Sequence, residues 1–324
     1  MKKTPLCFAI IIYFLATIAS AGDFSGPLAI KNGHPLYAAL GSPSLVSAEP
    51  DNSIDINFSY SSSYLVAGPG DWHFGIDMET ALLDVNLKHS AGKELEVGID
   101  LPIIRYGAGF MDDFIDTYHR VLGMAGAYGR HDRPRNEFLL DVTSHGKQVI
   151  HGEPGETKLG DVMLEIKKVI FSQGMNVVSV QGFLNLPTGD PDSGQGSGRT
   201  NGGGAVLINM GLRSELMLYA NAGIGLIEKL KALQEVNLKN YYYGGAGLEW
   251  RYSERLSLDL QMFIQSSPFP TTEEDSIDFA SMMSSVGGRY KIDAASSFGV
   301  AVTEDPFAAG APDFMMSIDY RHGF

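Results

Sequence analysis

The last eleven residues of the chain alternate in a way that dictates a sheet. Phe314, Met316, Ile318, Tyr320 and Phe324 share one parity, and Met315, Ser317, Asp319, Arg321 and Gly323 take the other. Successive side chains of a strand point to opposite faces, so one face here is apolar and the other mostly polar. His322 interrupts the apolar parity next to the chain end, where a headgroup layer tolerates polar groups. The period of two recurs upstream in Ile54, Ile56, Phe58 and Tyr60, in Leu95, Val97, Ile99, Leu101 and Ile103, in Leu256, Leu258, Leu260, Met262 and Ile264, and in Tyr242, Ala246, Leu248, Trp250 and Tyr252. Such a chain becomes either a sandwich with the apolar faces packed together or a closed barrel with them turned to lipid.

The first residues favour the second solution. Lys2 and Lys3, an apolar run over residues 6–18 and Ala19-Ser20-Ala21 read as a secretory signal peptide, residues 1–21, cleaved before Gly22. That run is shorter than the ~18 residues of a spanning helix, and no apolar run of that length follows it. An exported chain without membrane helices is soluble or a barrel. The strand from Phe314 to the terminal Phe324 resembles the assembly signal of outer-membrane β-barrels. That resemblance implies insertion by the barrel-assembly machinery and residence in the cell outer membrane, among lipid and lipopolysaccharide. With 24 Lys and Arg against 38 Asp and Glu the formal charge is −14, and loss of the two leader lysines makes it more negative, which excludes generic nucleic-acid binding. The one cysteine, Cys7, lies in the leader, so the mature chain has neither disulfides nor a Cys-based metal cluster, and no cofactor is expected.

Connections separate into two classes, as they do in outer-membrane barrels. Short ones near residues 90–93, 145–146, 172–174, 213–215, 253–255 and 293–295 alternate with longer ones at 67–72, 105–135, 152–158, 187–203, 228–239, 267–276 and 305–312. The reading is all-β: a transmembrane antiparallel β-barrel over residues 53–324 with about fourteen strands, both chain ends in the periplasm and one short helix in an external loop. If residues 148–151 are not a strand, their hairpin with 137–144 disappears and twelve strands remain. Residues 22–52 contain Pro27, Pro35, Pro43 and Pro50 without an alternating run, so this extension precedes the wall as either a lumen plug or a periplasmic strap.

With the apolar parity facing lipid, the lumen receives Asp55, Glu94, Glu96, Asp100, Glu249, Arg251, Asp259, Arg289, Asp319 and Arg321, together with Asp84, Lys88, Glu165 and Lys167. Acids outnumber bases, which suits either a channel biased to cations or an ion-pair network that fills the interior. Tyr60, Trp250, Tyr252, Tyr290 and Phe324 suit the membrane interfaces. Over residues 109–123 the period becomes helical: Phe110, Phe114, Ile115, Tyr118 and Leu122 share a face, Asp112 and Asp113 open the first turn, His119 and Arg120 close the last, and Gly123 stops it. Such a helix folds into the barrel mouth as a constriction or packs as a structural lid.

Asp190 and Asp192 could offer oxygens to Ca²⁺, but Gly194 occupies the third ligand position of an EF-hand loop, and the Gly-rich stretch after it lacks the Lys of a phosphate loop. The acidic run Glu273, Glu274, Asp275 and Asp278 reads as a solvated loop. A hydrolase would need a Ser activated by an oriented His. Ser144-His145 and His89-Ser90 are sequence neighbours that a pleat sends to opposite faces, and neither is similar to the motifs of lipid A deacylases or outer-membrane phospholipases, so no enzyme is expected.

Gly26-Pro27-Leu28 with Asn32 and Pro35, the helical Asp113 to His119 region, Arg133-Pro134-Arg135-Asn136 and Leu159-Gly160-Asp161 resemble a family of exported bacterial barrels, the domain of unknown function family 3187, over nearly the whole mature chain. The Pro187-Thr188-Gly189-Asp190 turn resembles one in barrels associated with uptake of aromatic compounds, which implies transport of small, fairly apolar molecules. The expected function is passive passage of small solutes; a non-conducting structural or surface-interaction barrel is the alternative, and a lipid-modifying hydrolase a third.

Overall fold

The computed structural model describes residues 24–68, 70–121, 134–228, 231, 238–307 and 309–324. The signal peptide at residues 1–21 and the helix stop at Gly123 fall outside the described residues. The strands are β1 Ser53–Ala67, β2 Trp72–Ser90, β3 Leu95–Gly107, β4 Leu139–Ser144, β5 Lys147–His151, β6 Thr157–Leu159, β7 Val162–Gln173, β8 Asn176–Leu186, β9 Asn201–Arg213, β10 Leu216–Leu226, β11 Tyr241–Arg251, β12 Leu256–Gln265, β13 Ser281–Lys291, β14 Ser296–Glu304 and β15 Phe314–Gly323. Three helices accompany them: α1 Pro35–Ala38, α2 Asp112–Val121 and α3 Asp275–Asp278.

Twelve of the strands form a closed antiparallel wall, because β15 pairs with β14 on one side and with β1 on the other, from Ser53 opposite Gly323 to Ser62 opposite Phe314. Its two faces invert the arrangement of a soluble sandwich. Phe58, Ile166, Leu260, Val286 and Ile318 are exposed on the outside, whereas Asp84, Asp100, Asn185, Asn209, Glu249, Gln261 and Arg289 are buried inside. In water this would cost burial of charge and exposure of apolar area together; with hydrocarbon outside, each residue meets a compatible medium. This chain is an outer-membrane β-barrel.

The three remaining strands stand at the end of the long loops. β2 is 19 residues long and outreaches the wall. Its half from Glu79 to Ser90 pairs with β3, and beyond that Trp72–Asp77 pairs with β4. β4 turns into β5 through His145 and Gly146, both at positive φ (52° and 72°), a combination that matches the twist of a two-residue hairpin. Residues 147–151 are thus a strand, yet the wall has the smaller of the two expected numbers, because this hairpin extends the rim of β2 instead of entering the circuit. β6 likewise edges the upper part of β3 at Ile103–Arg105, where β7 has diverged.

The helix expected in an external loop, as a mouth constriction or a structural lid, is present as α2, and it lies on the outer surface of the wall. Met111 and Ile115 are buried against Phe314, with Tyr60, Val302 and Met316 around them, all of the parity that faces lipid elsewhere. Glu79 explains the placement. It has the outward parity of β2, and its Oε1 accepts the N–H groups of Phe110 (2.9 Å) and Met111 (2.5 Å), so an otherwise lipid-exposed carboxylate is covered by the start of the loop. Gly109 sits at φ +72°, and a Cβ there would overlap the Glu79 carboxylate.

Candidate functional site: an occupied lumen and its polar path

Residues 24–52 run inside the wall as a doubled segment. It starts at the short-turn end, where the Glu249 carboxylate accepts Ser25 N–H (2.9 Å) and Gly26 N–H (3.1 Å), as well as the Tyr219 hydroxyl (2.7 Å). Arg289 answers from the other side, donating through Nη1 to the carbonyls of Ser25 and Gly26, both at 2.9 Å, and through Nη2 to Asp319 at 3.0 Å. Further up, the Gln261 amide accepts from Leu28 N (3.2 Å) and donates to Leu28 O (2.9 Å), which reproduces the two bonds of a neighbouring strand. Near the loop end Asn32 donates to Gly310 O (2.6 Å), and α1 begins with Pro35 in its first turn, a position where the missing N–H costs nothing. Tyr37 is fully buried and packs edge-on to Phe269.

The chain then descends. Asn185 donates to Leu40 O (3.2 Å), Asn221 clasps Val46 once its amide is oriented with the nitrogen toward Val46 O (3.1 Å) and the oxygen toward Val46 N (2.8 Å), and Asn209 accepts from Ala48 N (2.8 Å). The exit lies beside the entrance: Asp51 N–H donates to Glu96 (2.7 Å), and Arg321 pairs with Asp51. Side chains that carry both a donor and an acceptor are what a wall needs to hold a backbone having no partner strand. Wall glycines supply room for the segment's leucines, Gly245 and Gly247 against Leu45 and Gly287 against Leu28.

Of the charged residues singled out by parity, Asp55 pairs with Lys88 (2.6 Å), Glu96 with Lys167 (2.8 Å), and Asp100 and Asp84 both with Lys31, the latter at 2.8 Å. Asp259 is buried directly across the ladder from Glu249. Arg251 sits at the short-turn rim with its guanidinium 5.3 Å from the Phe24 ring centre. Glu94 lies in the turn after β2, where it is largely exposed and pairs with Lys168 (2.6 Å), because the strand ends before its parity can carry it inward. In the last strand Phe314 is covered by α2, Met316 is half-buried, and Ile318, Tyr320 and Phe324 are exposed. Sequence reasoning missed Lys31, Asn185, Asn209 and Asn221, and placed Asn57, which donates to Ala29 O, and Gln261 on the polar parity without a role; the amides of that parity were the available signal for the wall, and nothing marked Lys31 in the extension.

Three cavities follow one another, the first spreading across the short-turn end and the next two lying against β2, β3, β7 and β8. The first, about 660 Å³, opens at the short-turn end among Asp293, Ala295 and Phe324 and reaches Asp55, Lys88 and Glu165. Those three also line the second, of about 50 Å³, and the second shares Lys31, Asp84 and Met163 with the third, of about 20 Å³, near Asp161 and Asn185. Since one water needs ~10–15 Å³ on this scale, the upper end admits about one water.

Among the described residues, the loop constellations read from the sequence build no comparable site. Ser144 Oγ is 3.0 Å from His145 Nδ1, and His145 Nε2 is 3.3 Å from Asp71. The expectation that a pleat separates Ser144 from His145 fails because His145 is a turn residue. Ser144 is nonetheless buried, and none of the three cavities reaches it. Asp190 is engaged by Lys158 (2.9 Å) and the Asp192 N–H (3.1 Å), and these hold its carboxyl below the usual range. Asp278 caps Thr272 and Glu273, turning the acidic run into a closed loop.

The family model described as "Protein of unknown function (DUF3187)" matches residues 4–324, so the chain belongs to that family. No curated protein matches the sequence. Among solved structures the chain is similar to the COG4313 outer membrane channel from Pseudomonas putida F1, with 11% identity, a TM-score of 0.55 and coverage of 85% of this chain and 96% of that one. It also matches the NanC porin at 7% identity and a TM-score of 0.47, over 84% of this chain and 98% of that one. A third match is the P. putida toluene transporter TodX, at 10% identity and a TM-score of 0.37, over 84% and 89% of the two chains. At these identities the likeness is one of fold.

Proposed function

We propose that this DUF3187 barrel is a passive conduit for small polar solutes across the outer membrane, with residues 24–52 as a plug that sets its aperture. The observation that carries the reading is the series of cavities, continuous in its lining residues and narrowing from about 660 to about 20 Å³, beside the plug. Twelve charged side chains stand along the first cavity and six charged and four amide side chains along the second, interspersed with apolar ones, which supports passage of polar solutes. The inward charged residues read from parity, Glu94 apart, belong on this reading to the conduit and to the anchoring of its plug. The exposed Ile318, Tyr320 and Phe324 support recognition of the last strand by the assembly machinery, and the outer belt supports contact with lipid and lipopolysaccharide.

A non-conducting structural barrel is the second reading, favoured by the single-water size of the upper cavity. Planar-bilayer recording of the refolded mature chain separates the two. The conduit gives small, fluctuating steps, whereas a barrel that stays silent after verified refolding overturns it.

A further inference from the structure

We propose that Asp84 and Asp100 form an exchange site for a small primary-ammonium solute, with the Lys31 ammonium of the plug as its tethered occupant; this rests on the conduit reading and names its solute class. Lys31 Nζ lies 2.8 Å from Asp84 and also contacts Asp100, and both carboxylates are almost wholly buried. Because Lys31 and Asp84 line both the second and the third cavity, anything moving between those cavities passes this pair. Drawing Lys31 aside with nothing in its place leaves two buried carboxylates unpaired, a costly state that a neutral or anionic solute does nothing to relieve. A cation relieves it by taking the vacated position.

The second cavity carries an independent sign of what it accepts. Asp100 is about 1% exposed, and its Oδ1 accepts no hydrogen bond from the described residues, nor does Asn86 Oδ1; both residues line this cavity. Around the same space stand Asp55, Asp84, Asp100 and Glu165 against Lys31 and Lys88, so acceptors and negative charge are both in surplus. A primary ammonium brings one positive charge and three N–H donors, which matches spare acceptors as well as charge. A quaternary ammonium brings the charge without donors. Among the described residues no group of three or more His, Cys, Asp or Glu is placed to hold a metal ion. The displaced Lys31 finds Glu165 on the wall of the same cavity.

The test uses the full mature chain in two measurements. In bilayers, bi-ionic reversal potentials are expected to give methylammonium a permeability at least several-fold above that of tetramethylammonium and of chloride, with Asp100→Asn lowering the first ratio. Equal permeation of methylammonium and tetramethylammonium through a conducting protein overturns the proposal. In detergent, Lys31→Ala is expected to melt below the parent and to regain most of that loss in methylammonium chloride, but not in sodium or tetramethylammonium chloride of equal ionic strength. Absence of this selective recovery overturns the site. If Lys31→Ala does not refold, the reversal potentials of the parent chain decide alone. A silent barrel with selective recovery keeps the site and discards the conduit, so the two failures are distinguishable.

Discussion

His34 precedes α1 near the loop end of the barrel, where burial alone pushes its imidazole from an ordinary value near 6.5 down to about 3. On the plug reading, withdrawal of residues 24–52 into water would restore the ordinary value, so between pH 6.5 and about 3 the withdrawn state would bind a proton that the docked state refuses. Docking is therefore at full strength above pH 6.5 and weakens as the pH falls, by up to ~1.4 kcal/mol per unit. Residues 22–324 contain no Cys, so Ala39→Cys in that span reports on docking: its labelling rate relative to the same reporter with His34→Gln should climb as the pH falls below 6.5, and a constant ratio refutes the claim. Glu249 gives a second check. Glu249→Leu strips the acceptor from Ser25 N–H, Gly26 N–H and Tyr219 O–H, about 1–3 kcal/mol for each buried donor left unpaired, and tryptic cleavage after Lys31 should accelerate at least tenfold. Three of the residues that resembled the family motif prove to be fasteners: Asn32 holds Gly310, Asp161 binds Gly189 N–H and Ser197, and Asn136 N–H donates to Asp112 at the start of α2. Their types were legible in the sequence, but their partners lie 24 to 278 positions away.

The strands of the wall could be read because each has one face in lipid, and that boundary writes the period of two directly into the chain. The β4–β5 hairpin alternates for a different reason: Leu140, Val142, Val149 and Ile150 pack into the apolar cluster that holds Phe74 and Ile76 above the wall. Periodicity reports that a face is covered, not what covers it, so the hairpin passed for two wall strands. Replacing residues 139–151 by a short flexible linker should accordingly leave a closed barrel with heat-modifiable mobility in gels, since β2 and β3 pair without it; a chain that no longer refolds would place the hairpin in the wall. The position of α2 was hidden because it depends on one outward carboxylate, and the helical period is the same whichever surface receives it. Gly109→Ala, which drives a methyl into Glu79 at a left-handed φ, should release the start of α2 and expose the following segment to protease, at a cost of ~1–3 kcal/mol to the docked loop. An unchanged digestion pattern would argue against the carboxylate as the anchor.

For the molecule as a whole, the wall and its contents are held by different bonds. Wall strands complete one another's backbone ladders all the way round, whereas residues 24–52 borrow theirs from wall side chains. This segment had no period to read because its conformation is set by distant residues, and its apolar Leu28, Ile30, Leu36 and Leu45 were the remaining hint that something must enclose it. Deleting residues 22–52 should leave a folded barrel whose conductance rises about tenfold or more, the lumen being freed of what reduced it to about one water's volume at its upper end; a variant that conducts no more than the parent would mean that the loops, not this segment, limit passage. The segment enters beside Glu249 and leaves beside Glu96 through the same opening. A finger bent back on itself is not threaded, so its withdrawal would leave the seam between the first and last strands sewn, with both of its ends on the same side of the wall.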